Sequence, residues 1–548
     1  MSPARRSREV RQVAEFTNGW KGKDWLRRQW PWWTAGLLTG IAEVINYTLI
    51  PLGHPKHKFI GVTSGMARMY AAFETTLFGG SLIATRPDYQ PSIQWIIIGA
   101  MIAALVFAWL EGEWRTWVKY PKPMLFLTVL GGALFAWGTR VAGGCTLHHL
   151  LGGFAAFNLK SFVVMGSATV GALIAFIIFR RLRLSQYFKS QDTKWYVAQA
   201  RKLGWADGLT YAEKNPYPAL TAALLAFLGL FFVVILYNAF AGNDFAVQAF
   251  GVAPEKTMMA KAMLTAKHLP NILLLLLVGA LLGTAVAKTG FGTECGLINP
   301  EMGREVHTGE EHAARRWGMP FSLRTVFGSM QPFGALSLHI AITAFVMWLG
   351  FTFFGIMEGH HWATPEFAEK YVGPEFHKVS AEGLKHIREK TSWPMDIFGG
   401  LLLGLGTVFM IGCEFRNYGR TGLLYLTGLL IWPAFYLGYL PYTLARDFWD
   451  NLMGNYIYAP TTFVPALIAP QSHALQSLIY LAYVLFWAYM FWWAAKKGAA
   501  FLGVTPSQIL SMSSEEMYLA RIEKLKKEGR WEEIDRIERE LAEEAQRS

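Results

Sequence analysis

The sequence predicts an all-α polytopic membrane protein with about ten transmembrane helices, arranged as two inverted repeats with re-entrant half helices. The first observation behind this prediction is composition: 53% of the 548 residues are hydrophobic, 15% are aromatic and 16% are charged, whereas soluble domains carry about 25% charged residues. The others are a series of long apolar segments and a match between the two halves. This apolar content excludes disorder for most of the chain, and three cysteines exclude a disulfide-rich secreted fold.

The apolar segments define the predicted spans, because a membrane-spanning helix needs about 20 mostly apolar residues. Ten segments meet this condition: 32–52, 93–111, 123–143, 160–180, 218–240, 272–290, 334–356, 395–413, 421–444 and 474–496. The first is the weakest, since it contains Glu43 and Asn46. Lys and Arg cluster before the first span, after the fourth and sixth, and after the last. Because basic residues concentrate on the cytoplasmic side of membranes, both termini are expected in the cytoplasm.

The net charge of +12 therefore has an explanation other than nucleic-acid binding, and the expected partner is the lipid bilayer. No cleavable signal peptide is expected, since residues 1–30 contain no apolar core. The predicted organisation is a basic cytoplasmic N-terminal segment at 1–31, a first transmembrane repeat at 32–183, a cytoplasmic loop plus linker span at 184–271, a second transmembrane repeat at 272–445 with an extracytoplasmic loop at 357–394, an extracytoplasmic loop and last span at 446–497, and a cytoplasmic helical tail at 498–548.

An internal repeat supports the two halves. Residues 131–145 match residues 399–413 at seven positions, among them Gly131 with Gly399, Gly138 with Gly406 and Cys145 with Cys413. A weaker match joins 36–49 to 279–295. Spans one to four thus resemble spans six to nine, and the single span between them inverts the second half. In inverted-repeat transporters the substrate passes near the midplane, where the halves meet.

The three cysteines, Cys145, Cys295 and Cys413, each lie at the end of an apolar span and within a glycine-containing stretch. Such stretches are typical of re-entrant turns that line a cavity, and backbone N–H groups at a half-helix start favour anions. A buried cysteine can also be a simple packing residue. Ionisable residues at span ends are further candidates: Glu43, Arg140, Lys288, Glu294, Glu414 and Arg416.

The sequence gives little support to a catalytic or cofactor site. A metal site is disfavoured because the three cysteines form no CxxC pair. His148 and His149 are adjacent and point to different helix faces, which disfavours a haem. The chain has no Walker A motif, no dinucleotide fingerprint and no Ser/His/Asp pattern. We therefore expect no enzyme activity, no catalytic residues and no cofactor.

At Ala-Gly-Gly-Cys-Thr-Leu-His-His (142–149) and Gly-Cys-Glu-Phe-Arg-Asn-Tyr (412–418), the chain resembles the YeeE/YedE family. These are bacterial inner-membrane proteins associated with uptake of thiosulfate and related sulfur or selenium compounds. The resemblance covers roughly 32–183 and 272–445. It implies an inner (plasma) membrane location, a narrow route where cysteine thiols pass the ion by hydrogen bonds, and a cytoplasmic sulfur-carrier protein as a candidate partner. The candidate substrate-binding residues are Cys145, Cys295, Cys413, Gly144, Thr146, His148, Gly412, Glu414 and Arg416.

The chain also departs from the family pattern. Leu147 and His148 replace a small residue and a glycine after Cys145-Thr146, and Glu-Phe-Arg follows Cys413. The segments 1–31, 357–394 and 500–548 are additions.

The favoured function is a permease that imports a small sulfur-containing anion such as thiosulfate through a cysteine-lined central route. Thiosulfate is a large, soft dianion that must shed water, and backbone dipoles with weak S–H donors can replace that water. A line of full positive charges would hold the ion too tightly to release it. Two alternatives are a membrane anchor or electron-transfer subunit of a sulfur-redox complex, and a sulfur-handling enzyme with a persulfide on cysteine.

Overall fold

The computed structural model describes residues 30–49, 59–83, 93–182, 211–240, 269–292, 330–354 and 391–512, apart from positions 116 and 213, together with residues 26, 184, 528 and 529. Cys295, Glu294, the loop 357–390 with its expected short helices, and most of the predicted C-terminal helical tail lie outside these residues.

Helices form nearly all the regular structure of this part of the chain. In order they are α1 (Trp33–Thr48), α2 (Thr63–Phe78), α3 (Trp95–Glu111), α4 (Lys122–Ala142), a π-helix (Leu147–Gly153), α5 (Leu159–Arg181), α6 (Pro218–Phe240), α7 (Leu269–Thr289), α8 (Met330–Phe354), α9 (Trp393–Phe409), α10 (Glu414–Gly422), α11 (Leu426–Leu444), α12 (Arg446–Asn455), α13 (Val464–Ile468), α14 (His473–Leu502) and α15 (Pro506–Ser511). A 3₁₀ turn covers Glu113–Arg115, and the two-residue strands β1 (Trp117–Val118) and β2 (Tyr211–Ala212) pair antiparallel.

Within the described residues, seven helices are long and apolar enough to cross a membrane: Lys122–Ala142, Leu159–Phe179, Pro218–Tyr237, Ile272–Thr289, Phe333–Phe354, Trp393–Gly422 and His473–Ala500. The prediction of an all-α polytopic membrane protein is thereby confirmed. Each of the ten predicted spans contains a helix, although α1, α3 and α11 do not meet the same criterion of length and hydropathy. The count of ten spans stays a prediction. Helix α2 was not predicted.

The helices pack in a pattern that the predicted repeat would produce. Helices α4 and α9 pack on each other; α9 also packs on α5, and α4 on α11. Likewise α1 packs on α7, while α7 packs on α3 and α1 on α8. The predicted repeat makes α1, α3, α4 and α5 equivalent to α7, α8, α9 and α11, respectively. Exchanging equivalent helices leaves the α4–α9 and α1–α7 contacts unchanged. It converts the α5–α9 contact into the α4–α11 contact, and the α3–α7 contact into the α1–α8 contact.

Glycines allow the close crossing of α4 and α9. A Cβ added to Gly131 would lie 2.9 Å from the Gly406 carbonyl oxygen, and one added to Gly138 would lie 2.8 Å from that of Gly399. These contacts pair the matched glycines of the two halves crosswise. Small residues at helix crossings let backbones approach closely in membranes.

We expect Gly406→Ala to separate α4 from α9, since its Cβ would lie 2.5 Å from the Phe135 backbone nitrogen. The expected loss of stability is about 1–3 kcal/mol, as for other overpacked interiors. Gly229→Ala on α6 is the matched control because a Cβ there meets nothing within 4 Å. Denaturant unfolding of the two purified variants in detergent measures the difference. Equal stability of the Gly406→Ala variant and the parental protein would contradict the close crossing.

Candidate functional site

The first Gly-Cys turn follows α4. The helix ends at Gly143 in the left-handed conformation (φ 79°), which glycine adopts without steric penalty. Gly144 lies against the His148 ring, where a Cβ would be 2.5 Å from Cδ2. Cys145 is fully buried, and the chain then enters the π-helix. Such π-helical segments are rare and frequently occur at functional sites.

The second Gly-Cys turn follows α9. Ile411 and Gly412 both have positive φ, at 58° and 135°. A β-branched residue in this region is a genuine outlier, so the backbone of this turn is held in a strained conformation. Cys413 caps α10, because its Sγ accepts a hydrogen bond from the Arg416 backbone N–H at 3.4 Å.

Two buried side chains hold this strained turn in place. The Asn417 amide donates to the carbonyl oxygens of Gly412 at 3.1 Å and Cys413 at 3.0 Å. The Arg420 guanidinium donates to the Ile411 carbonyl oxygen and is only 1% exposed. The bonds to Ile411 and Gly412 satisfy backbone carbonyls at the turn, while the Cys413 carbonyl also accepts from the Asn417 backbone N–H at 3.0 Å. The turn is therefore built into the protein interior.

The two turns meet at the Glu414 carboxyl group. Thr63 Oγ1 donates to Glu414 Oε2 at 2.7 Å, and the Tyr418 hydroxyl donates to Oε1 at 2.7 Å. The Cys145 thiol contacts both the Glu414 carboxyl and the Thr63 side chain. Glu414, which directly follows Cys413, therefore contacts Cys145. The side chains of this cluster are all buried: Thr63, Cys145, Glu414 and Tyr418.

Three helices begin at this meeting point: α2 at Thr63, the π-helix at Leu147 and α10 at Glu414. Helix N-termini carry partial positive charge and free backbone N–H groups, which favour anions. Arg140 lies at the edge of the site, where it donates to Ser64 Oγ at 2.9 Å and attracts the Glu414 carboxylate. The Thr63 and Tyr418 hydroxyls and the nearby Arg140 guanidinium are the groups that an anion could use here, and it would compete with the Glu414 carboxyl for the hydroxyls.

The structure brings most of the candidate residues together. Cys145, Thr146, Gly412, Cys413, Glu414 and Arg416 are buried, Gly144 and His148 are half-buried, and Cys295 lies outside the described residues. The His148 ring packs 5.2 Å from the Phe59 ring centroid rather than on Glu414. Both described cysteines are free thiols.

Four residues of the site were missed in the sequence: Thr63, Asn417, Tyr418 and Arg420. Tyr418 lies four residues after Glu414, a spacing that places two side chains on one helix face, so a signal was present. Thr63 gave no comparable signal because it belongs to the unpredicted helix α2.

Two other ionisable candidates, Lys288 and Glu43, lie elsewhere in the structure. Lys288 forms a buried ion pair with Glu111, and its Nζ also donates to the Leu26 carbonyl oxygen at 2.6 Å. Glu43 lies on α1, where its Oε1 accepts a hydrogen bond from the Ile60 N–H at 2.9 Å. Neither side chain belongs to the cluster around Glu414.

Comparison with known proteins bears on the first half of this site. Residues 2–174 match the family model Sulf_transp, described as sulphur transport. The matched range includes Thr63 and the Cys145 turn. No curated protein matches the chain.

Proposed function

Because residues 2–174 match the sulphur transport family model, we propose that this membrane protein imports a small sulfur-containing anion such as thiosulfate. The proposed route passes Cys145, Cys295 and Cys413. One observation carries the proposal: the two Gly-Cys turns, which lie far apart in sequence, meet in the interior where three helices begin. Helix N-termini, hydroxyls and a thiol directed to one point suit an anion.

The donors around Glu414 are weak and uncharged. The Thr63 and Tyr418 hydroxyls donate to its carboxyl, and the Cys145 thiol contacts it. A small anion that reached this point would compete with the Glu414 carboxyl for these donors, so its passage requires Glu414 in the neutral, protonated form. The donors would then replace its hydration water. Because none of these groups carries a positive charge, the anion would be bound weakly enough to move on. Arg140 at the edge would attract the anion from a distance.

We also propose that the two halves form an inverted repeat with the boundaries 32–183 and 272–445. The exchange of helix contacts between the halves and the crosswise glycine pairs support this. The proposed location is the inner membrane with both termini in the cytoplasm, as the basic clusters favour. A cytoplasmic sulfur-carrier protein remains the candidate partner for the imported compound.

Import of a dianion requires a source of energy. Moving two negative charges into a cell with a negative interior costs about 4.6 kcal/mol per 100 mV of membrane potential, twice the value for one charge. A nucleotide-driven mechanism has no support in this sequence, which contains no Walker A motif. Coupling to the movement of a cation is therefore the favoured source.

The proposed function is tested by growth. A bacterial host that lacks thiosulfate uptake should grow on thiosulfate as sole sulfur source when it expresses this chain, and should not grow with an empty vector. Growth on cysteine controls for toxicity of expression. Normal membrane insertion without growth on thiosulfate would contradict thiosulfate as the substrate.

A further inference from the structure

Within the part of the chain that the structure describes, Glu43 is a buried carboxyl group with one unpaired oxygen. It lies on α1 and has no solvent exposure. Its Oε1 accepts one hydrogen bond from the Ile60 backbone N–H at 2.9 Å, and its Oε2 has no hydrogen-bond partner among the described residues.

The other buried carboxyl groups of the described chain all have stronger partners. Glu111 pairs with Lys288, and Asp396 pairs with Lys160. Glu414 accepts two hydroxyl hydrogen bonds. Glu74 accepts hydrogen bonds from Ser81, Tyr436 and the Ile83 backbone. Glu43 differs from these four in that no described residue gives it a cation or a hydroxyl donor.

No described cation compensates Glu43. Helix α1 packs against α7, α8 and the π-helix. The titratable side chains on these elements and on α1 itself are Lys288, His339, His148, His149 and Tyr47. Lys288 is paired with Glu111, and His339 contacts Thr39 Oγ1 at 3.0 Å. Within the described residues none of these side chains bonds to Glu43. An isolated carboxylate in a dry interior is very unfavourable, and this environment favours the neutral acid at Glu43.

Glu43 is also connected to the site. The Ile60 N–H that it binds is two residues before Val62, whose backbone contacts the Cys145 thiol. The next residue, Thr63, donates to the Glu414 carboxyl. The short segment between Ile60 and Thr63 therefore contacts Glu43 at one end and the residues around Cys145 at the other.

We propose that Glu43 is the proton-binding site of proton-coupled anion uptake, an inference that rests on the proposed function. The carboxylate takes up a proton from the outer side when it is open to water and carries it as the neutral acid in the conformation described here. It releases the proton to the cytoplasm in the same cycle that delivers the anion. Each proton offsets one negative charge of the anion, and no electron transfer or other covalent change is involved. Intramembrane carboxyl groups serve as proton carriers in other transporters.

The test uses the full chain in proteoliposomes that contain a pH-sensitive dye and an imposed inward proton gradient. Addition of thiosulfate outside should acidify the lumen with the parental protein. Glu43→Gln should lose this acidification because the amide cannot release a proton, although its Oε1 can still accept from Ile60. Exchange of labelled for unlabelled thiosulfate at equal pH should persist in the same variant, since exchange needs no net proton movement.

Two variants complete the design. Glu43→Asp should regain acidification because it restores a titratable carboxyl, and Glu74→Gln should keep it because Glu74 lies outside the proposed proton path. Thiosulfate exchange by the parental protein without acidification would overturn the role of Glu43, as would parental acidification in Glu43→Gln. Absence of exchange in the parental protein would instead overturn the proposed function. If Glu43→Gln fails to reconstitute, acidification by the parental protein and its loss with a protonophore still decide whether proton movement is coupled to thiosulfate uptake. In that case Glu43→Asp must show acidification in proportion to its thiosulfate exchange.

Discussion

Replacement of Cys145 or Cys413 by alanine should lower thiosulfate uptake by one to two orders of magnitude while the protein still folds. Both cysteines are buried at tight turns, where alanine retains the small volume and removes the weak S–H donor. An unpaired polar contact in a dry site costs about 1–3 kcal/mol, and about 1.4 kcal/mol corresponds to a tenfold change. Initial rates of labelled thiosulfate uptake, normalised to membrane expression, measure the effect.

Serine is the matched replacement at the same two positions. It keeps a donor of similar size, so uptake should be impaired less than with alanine. We expect the effect at Cys145 to be the larger of the two, because its thiol contacts Glu414 and Thr63, whereas Cys413 Sγ accepts from the Arg416 backbone. Parental uptake rates in both alanine variants would show that the two cysteines only fill space.

Lys160→Met should destabilise the protein by about 3–5 kcal/mol, the usual effect of leaving a buried charge without its partner. Lys160 at the start of α5 pairs with Asp396 in the first turn of α9 at 2.8 Å, and the side chains are 5% and 0% exposed. Tyr458 also donates to Asp396 Oδ2 at 2.9 Å, but a hydroxyl does not replace the missing positive charge. Denaturant unfolding in detergent measures the loss.

The exposed pair Arg446–Asp450 provides the control. Its nitrogen and oxygen are 2.8 Å apart, but the Asp450 side chain is 36% exposed, so Asp450→Asn should change the stability by at most about 1 kcal/mol. The double variant Lys160→Met with Asp396→Leu should recover much of the loss, since removal of both charges leaves no buried charge uncompensated. A Lys160→Met variant as stable as the control would contradict the importance of the buried pair.

The sequence predicted the helices wherever an apolar run was long and uninterrupted, as in α6 and α14. It did not predict α2, because Thr63–Phe78 contains Arg68, Glu74 and several hydroxyl residues. Thr63, Glu74 and Thr75 are nevertheless buried in the protein interior. The hydropathy of a segment identifies helices whose side chains face lipid. A helix that is enclosed by other helices can be more polar, so hydropathy does not identify it.

The candidate site was predictable at its turns and not at its contacts. Glycine beside cysteine at a span end marked both turns, and the repeat related them. The contact of Thr63 with Glu414 joins residues in different halves, and no local pattern encodes such a pair. Arg420 was missed because its hydrogen-bond partner, the Ile411 carbonyl oxygen, becomes available only through the strained backbone of the turn. The role of Cys295 remains a prediction.

The central claim is that this chain itself carries thiosulfate across a membrane. Counterflow tests it most directly: proteoliposomes with the purified full chain are preloaded with unlabelled thiosulfate and diluted into a trace of labelled thiosulfate at equal pH on both sides. The account predicts transient accumulation of label that saturates with external thiosulfate and falls strongly in Cys145→Ala. Label entry no faster than into protein-free vesicles, with correctly inserted protein, would contradict it.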